Sequence, residues 1–126
     1  MFEKDILKNK VVLITGGGTG LGKSMAMRFA ELGASLVIAS RRKEVISEAK
    51  SQIKEIGAEA LGLQCDVRDT DQVNSMVIDT LNQFNKIDIL INNAATIQTA
   101  LFQMTTQKDL KKVFQVNVFS QVLFTQ

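Results

Sequence analysis

Val11-Val12-Leu13-Ile14-Thr15-Gly16-Gly17-Gly18-Thr19-Gly20-Leu21-Gly22-Lys23-Ser24 is the stretch on which the reading of the whole chain turns. Four aliphatic residues run straight into a loop holding five glycines, and Met25-Ala26-Met27-Arg28-Phe29-Ala30-Glu31-Leu32 beyond it reads as a helix. Strand, glycine loop and helix together aim a helix N-terminus at a phosphate. Glycine lets the backbone come close, and unpaired N–H groups with the helix dipole attract the anion. The pattern G-x-G-x-x-G fits in no register, because Leu21 or Lys23 stands where its last glycine would fall. Two other patterns fit literally. One is the nucleotide-triphosphate loop G-x-x-x-x-G-K-S, from Gly17 through Gly22, Lys23 and Ser24; the other is T-G-x-x-x-G-x-G, at Thr15, Gly16, Gly20 and Gly22. The loop alone leaves both open.

The 126 residues suit a single domain over 1–126 with a sizeable core, and 45% of them are apolar. A net charge of +2 is too small to argue for nucleic acid or a membrane surface. One cysteine, Cys65, and no histidine exclude an intramolecular disulfide, a His-based triad and a zinc site, so no metal is expected. Met1 to Lys10 alternates charged and apolar residues without a signal-peptide core, and no apolar run reaches membrane-spanning length. The expectation is a cytoplasmic domain. Tyr, Trp and Pro are also absent.

Outward from the glycine loop, the apolar run Val11 to Thr15 predicts a strand covered on both faces. The following helix should stop at Gly33. Ser35 to Ala39 predicts a second buried strand. Lys43 to Ile56 predicts a helix with Val45, Ile46, Ala49, Ile53 and Ile56 on one side and Gly57 as its stop. Ala60 to Cys65 predicts a third strand, weakened by Gly62. Asp69-Thr70-Asp71 offers N-caps for a third helix, on which Val73, Met76, Val77, Thr80, Leu81 and Phe84 repeat at helical spacing. Ile87 to Ile91 predicts a fourth strand, interrupted only by Asp88. A loop to about Thr106 and a long helix from Gln107 to Gln126 follow. Strands alternating with helices over short connections predict an α/β fold, a three-layer Rossmann-type parallel sheet of strand order 3-2-1-4.

Four further stretches bear on the choice of motif. The tip of the second strand reads Ala39-Ser40-Arg41-Arg42, where a dinucleotide fold places an acid for the ribose 2′-OH. Two guanidinium groups suit a 2′-phosphate instead, because the planar fork makes charge-assisted bonds to phosphate oxygens. That predicts NADP(H) over NAD(H); the plainer reading is a solvated basic cluster. Cys65-Asp66-Val67 ends the third strand, and Asp66 would hold magnesium in a triphosphate-binding protein. Asn92-Asn93-Ala94-Ala95 follows the fourth strand, its small residues allowing close backbone approach. Asn117 sits inside the apolar run Phe114 to Val118, where an amide is costly unless used.

In order and spacing these stretches resemble the short-chain dehydrogenase/reductase family over nearly all of the chain. T-G-x-x-x-G-x-G is similar to that family's cofactor loop, and Asn92-Asn93-Ala94-Ala95 to its Asn-Asn-Ala-Gly signature, with Ala95 in the glycine place. The resemblance implies a cofactor loop of Thr15, Gly16, Gly18, Thr19, Gly20, Leu21 and Gly22. It implies Ser40, Arg41 and Arg42 at the ribose, Asp66 and Val67 at the adenine, and Asn93, Ala94, Ala95 and Val116 along the cofactor. Asn117 would belong to the catalytic group and hold a water in a proton relay. Lys23 and Ser24 would be first-turn helix residues. The first stretches look most like dienoyl-CoA reductases, and the chain from Leu101 onward more like 3-oxoacyl-carrier-protein reductases.

Members of the family transfer hydride between a nicotinamide and a carbonyl, carbinol or enoyl substrate, with a Tyr as general acid/base, assisted by Lys and Ser. In the family these residues lie after the helix that ends this sequence, and these 126 residues contain no Tyr. Three readings follow. The first is the cofactor-binding front of a reductase, inactive alone. The second is a stand-alone dinucleotide-binding or assembly module, and the third a triphosphate-loop NTPase using Lys23, Ser24 and Asp66. The last helix carries Leu110, Val113, Phe114, Val116, Val118, Phe119, Val122, Leu123 and Phe124 around much of its circumference, which predicts a homo-oligomer formed through it.

Overall fold

The computed structural model describes residues 5–93. The elements are β1 (Val11–Thr15), α1 (Gly20–Glu31), β2 (Ser35–Ser40), α2 (Lys43–Ile56), β3 (Ala60–Gln64), α3 (Thr70–Phe84) and β4 (Ile89–Ile91). The strands form one parallel sheet of order β3-β2-β1-β4, as the sequence pattern predicts. Val11 to Thr15 lie beside Ser35 to Ala39, Val12 to Ile14 beside Ile89 to Ile91, and Leu36 to Ser40 beside Ala60 to Gln64.

Alternation along the strands splits the core into two layers. Val12, Ile14, Leu36 and Ile38 turn to one face and pack with Ala26 and Ala30 of α1 and Ile53 of α2. Val11, Leu13, Val37 and Ala39 turn to the other and pack with Cys65 and with Val73 and Met76 of α3. Burial of each larger aliphatic side chain contributes about 1.5–3 kcal/mol, which explains why β1 and β2 read as unbroken apolar runs.

The helix stops behave as their residues suggest. Gly33 (φ 101°) and Gly57 (φ 100°) take the left-handed conformation after α1 and α2. Asn85 does so after α3 at φ 67°. Asp69 caps α3, its Oδ1 accepting from the N–H groups of Asp71 at 2.9 Å and Gln72 at 3.2 Å.

Three strand boundaries differ from the sequence reading: β2 runs one residue further, to Ser40, and β3 and β4 are shorter. β4 begins at Ile89 rather than Ile87, because Asp88 replaces a ladder partner with its side chain. The Val11 N–H donates to Asp88 Oδ2 at 2.8 Å, while the Asp88 N–H donates to the Val11 carbonyl at 2.9 Å. Lys86 Nζ lies 3.2 Å from the same carboxylate oxygen and also donates to the Asn9 carbonyl. β3 ends at Gln64, one residue early. Gly62 lies within it: the strand keeps register along its length, and a Cβ there would fall inside Ile46 of α2. The glycine lets α2 press closely on the strand. The loop and helix predicted from Asn92 onward lie, beyond Asn93, outside the described residues.

Candidate functional site

β2 and β4 leave β1 on opposite sides, so the carboxyl ends of the strands open at a topological switch point, where α/β sheets bind ligands. A cleft of about 300 Å³ lies there, lined by Gly16, Thr19, Ala39, Ser40, Arg41, Arg42, Cys65, Asp66, Val67 and Asn93. Eight of these ten are residues the sequence singled out, drawn from stretches as far apart as Gly16 and Asn93.

The floor of the cleft is a clasp between the glycine loop and the end of β4. Asn93 Nδ2 donates to the Gly16 carbonyl at 3.2 Å, and the Asn93 N–H donates to Thr15 Oγ1 at 3.0 Å. The Thr15 hydroxyl in turn donates to the Ile91 carbonyl at 3.4 Å. Thr15 is buried and sits beneath the cleft rather than on its wall. Gly22 closes the clasp from α1: a Cβ there would lie under 3.0 Å from both the Gly16 carbonyl oxygen and the Asn93 amide. Gly18 packs in the same way on Val45 of α2.

Above the floor stands the N-terminus of α1. Its N-cap, Thr19, makes no side-chain capping bond and its first turn carries no acid. α3, by contrast, has an Asp cap and Asp71 in its first turn. Gly20 (φ 55°) has nothing within 4 Å of where a Cβ would stand, so the approach to the first turn is open. Leu21 is 71% exposed. Lys23 Nζ lies 3.8 Å from Glu48 Oε1 on α2.

The wall at the tip of β2 is basic. Ser40 Oγ accepts the Arg42 N–H at 3.3 Å, and Gln64 Nε2 on β3 donates to the Arg41 carbonyl at 2.9 Å. Facing it, Asp66 is gripped by Arg68. Arg68 Nε donates to Oδ1 at 3.0 Å, Nη2 to Oδ2 at 2.7 Å, and the Arg68 N–H to Oδ1 at 3.0 Å. This hydrogen-bonded guanidinium holds the Asp66 carboxyl below the usual carboxylate range. The Asp66 N–H donates to Gln72 Oε1 at 2.8 Å. Among the described residues no group of three or more His, Cys, Asp or Glu could hold a metal ion. Burial pushes the Cys65 thiol up to about 11, so it behaves as an apolar filler of the wall.

Ala94, Ala95, Val116 and Asn117 lie outside the described residues. Sequence reasoning missed Gln64 and Arg68, which touch Arg41 and Asp66; Asn92, quoted with the Asn93 stretch, has its Oδ1 buried without a hydrogen-bond partner among the described residues. An Arg two places after a strand-ending Asp was the available signal for the fork.

The family model described as short chain dehydrogenase matches residues 10–126, and the chain belongs to that family. It is 42% identical over 94 residues to a peroxisomal 2,4-dienoyl-CoA reductase of Arabidopsis thaliana, covering 75% of this chain and 32% of that protein. It is 31% identical over 122 residues to a 7alpha-hydroxysteroid dehydrogenase of Escherichia coli, covering 95% and 48%. The chain thus spans a third to a half of the length of these curated relatives. Among solved structures, a short chain dehydrogenase from Bacillus anthracis matches with a TM-score of 0.91 and 39% identity, over 95% of this chain and 50% of that one. An NAD+-bound xylitol dehydrogenase matches with a TM-score of 0.91 and 30% identity, over 95% and 46%. The family is one of oxidoreductases that bind nicotinamide dinucleotides. No helix among the described residues is long and apolar enough to cross a membrane.

Proposed function

We propose that these residues form the NADP(H)-binding part of an oxidoreductase that moves hydride between the nicotinamide and a carbonyl, carbinol or enoyl substrate. The observation that carries the cofactor choice is the basic wall Ser40-Arg41-Arg42 on the cleft, at the strand tip where an acid would select NAD(H). The uncapped N-terminus of α1 and the open approach at Gly20 fit a pyrophosphate. The cofactor supplies or accepts the hydride when bound. The residues of this chain bind and orient it: the first turn of α1 takes the pyrophosphate, Arg41 and Arg42 the 2′-phosphate, and Asp66 and Val67 the adenine edge. Asn93 holds the loop in shape, with Ala94, Ala95 and Val116 assigned to the nicotinamide side and Asn117 to a water in the proton path.

These 126 residues hold no Tyr, so binding without turnover is the expected behaviour of this chain alone. The apolar surface predicted on residues 107–126 is assigned to a contact between copies, and a sedimentation coefficient independent of concentration at the monomer value would refute that assignment.

The cofactor reading is tested by titrating NADPH and NADH, each followed by its own fluorescence, since the chain has no Trp or Tyr to interfere. Removing one charge-assisted bond costs about 1.5–3 kcal/mol, on the order of tenfold to a hundredfold in affinity. Arg41→Ala should lose that factor for NADPH and leave NADH nearly unchanged. An equal loss for both cofactors refutes the 2′-phosphate role.

A further inference from the structure

Arg41 and Asp66 both line the cleft, and they meet again in a more open recess beside it, walled by Gln64 and Gln72. Their backbones are fixed: Gln64 donates to the Arg41 carbonyl at 2.9 Å, and Gln72 accepts the Asp66 N–H at 2.8 Å. Gln72 is itself held, its Nε2 donating to Asp69 Oδ2 at 3.1 Å. With both backbones pinned, only the side chains choose partners. An acid and a guanidinium on one cleft would ordinarily pair. Here the carboxylate is already taken on both oxygens by Arg68, at 3.0 and 2.7 Å. Arg68 lines neither recess, so any effect it has on a ligand there runs through Asp66.

We propose that Arg68 is a positioning residue for cofactor choice: by engaging both oxygens of Asp66 it keeps that acid from capturing Arg41, and so leaves Arg41 to the 2′-phosphate. The inference rests on the NADP(H) reading above. The charge balance supports it. Asp66 has about a quarter of its side chain exposed, so a carboxylate without Arg68 would stand bare on the wall of an anion site. It would act twice against the cofactor's extra phosphate, by pairing with Arg41 and by repelling the phosphate directly. Neither effect touches a cofactor that ends in a plain ribose.

The test uses the 126-residue chain with NADPH and NADH as probes. Arg68→Ala should lower the ratio of NADPH to NADH affinity by roughly tenfold, with NADH affinity itself changed by less than about twofold. Adding Asp66→Asn to Arg68→Ala should restore the ratio, because a neutral amide neither holds Arg41 as a carboxylate does nor repels phosphate. A ratio unchanged in Arg68→Ala overturns the proposal, and so does a lowered ratio that the second substitution fails to restore. Should Arg68→Ala bind neither cofactor, Arg68→Gln, which cannot engage both oxygens of Asp66 as a charged fork, decides: a lowered ratio supports the proposal, and an unchanged one overturns it. If the unaltered chain shows no preference for NADPH, the cofactor reading falls and takes this inference with it. A preference undiminished in Arg68→Ala overturns the inference alone.

Discussion

Gly22→Ala puts the clasp under the strained spot where its parts meet. Two effects oppose each other. Alanine inside a helix is favoured over glycine by roughly 0.5–1 kcal/mol, so on local grounds the substitution should stabilise α1. Against that, the new methyl would lie under 3.0 Å from the Gly16 carbonyl oxygen and from the Asn93 amide. The carbonyl belongs to a backbone that β1 and β2 hold in register, the Gly16 N–H itself donating to the Ala39 carbonyl at 2.8 Å. Overpacking of this kind costs about 1–3 kcal/mol. Pushing Asn93 aside also breaks its 3.2 Å bond to Gly16. A part-buried carbonyl left without that donor adds about 1–3 kcal/mol. The steric and polar terms outweigh helix propensity, and a net loss of about 2–4 kcal/mol is expected.

Thermal unfolding followed by far-ultraviolet circular dichroism measures it. At about 4 °C per kcal/mol for a domain of this size, Tm should fall by roughly 8–16 °C. In an Asn93→Ala background one of the two obstructing atoms is gone, so the same substitution should cost about 1 kcal/mol less. A Gly22→Ala chain as stable as the original would refute the reasoning, because it would mean that the loop and α1 separate freely.

Other outcomes are expected at the edges of the fold. The Val11 N–H, and then Lys86, hold the Asp88 carboxyl below the usual range. Its contribution is therefore complete above the ordinary carboxylate pKa of about 4 and is lost as pH falls through the lower folded value. Asp88→Asn should flatten the acid limb of urea midpoints plotted against pH, leaving the slope due to Asp66, whose carboxyl is depressed in the same sense by Arg68; an unaltered limb would count against the cap at Val11. Cys65, buried and with its thiol pushed up to about 11, should react with iodoacetamide only as fast as the chain opens; rapid labelling of the folded chain would contradict this. Lys23→Ala should leave dinucleotide binding intact because its ammonium faces Glu48, whereas Gly20→Val should abolish it. Loss of magnesium-ATP binding on Lys23→Ala would revive the triphosphate-loop reading.

The order of the sheet and the extent of α2 were legible because they depend on local pattern: unbroken aliphatic runs for buried parallel strands, a periodic apolar face, and glycine where the helix stops. What escaped depends on side chains acting across the sheet. Nothing local to Asp88 says that it will take the Val11 N–H and shorten β4. Gly62 looks like a weak point until Ile46 is seen against it. The site residues were legible as separate stretches, since each follows a strand and parallel strands share one end. Their division of labour was not. Thr15 belongs to the loop pattern, yet its hydroxyl serves the strand beside it, and the Arg68 fork is a pairing that only three dimensions reveal.

The three-residue β4 has a further consequence for how the chain leaves the ribosome. β1, β2 and β3 can assemble with α1 and α2 as soon as Gln64 has emerged, but one side of β1 stays unpaired until Ile91 does, since Val12, Leu13 and Ile14 are bonded there to Ile89, Leu90 and Ile91. At about 5–20 residues per second, the interval between completion of β2 and arrival of β4 is on the order of 3–10 s. During it an aliphatic strand edge is open to other nascent chains. Docking of β4 then depends on the Asp88 carboxylate at one end and the Thr15 hydroxyl at the other, spaced by three residues. Both polar contacts fix the ends of a strand of only three residues, so a lesion at either end should lower the yield of newly made protein as well as the stability of the fraction that folds.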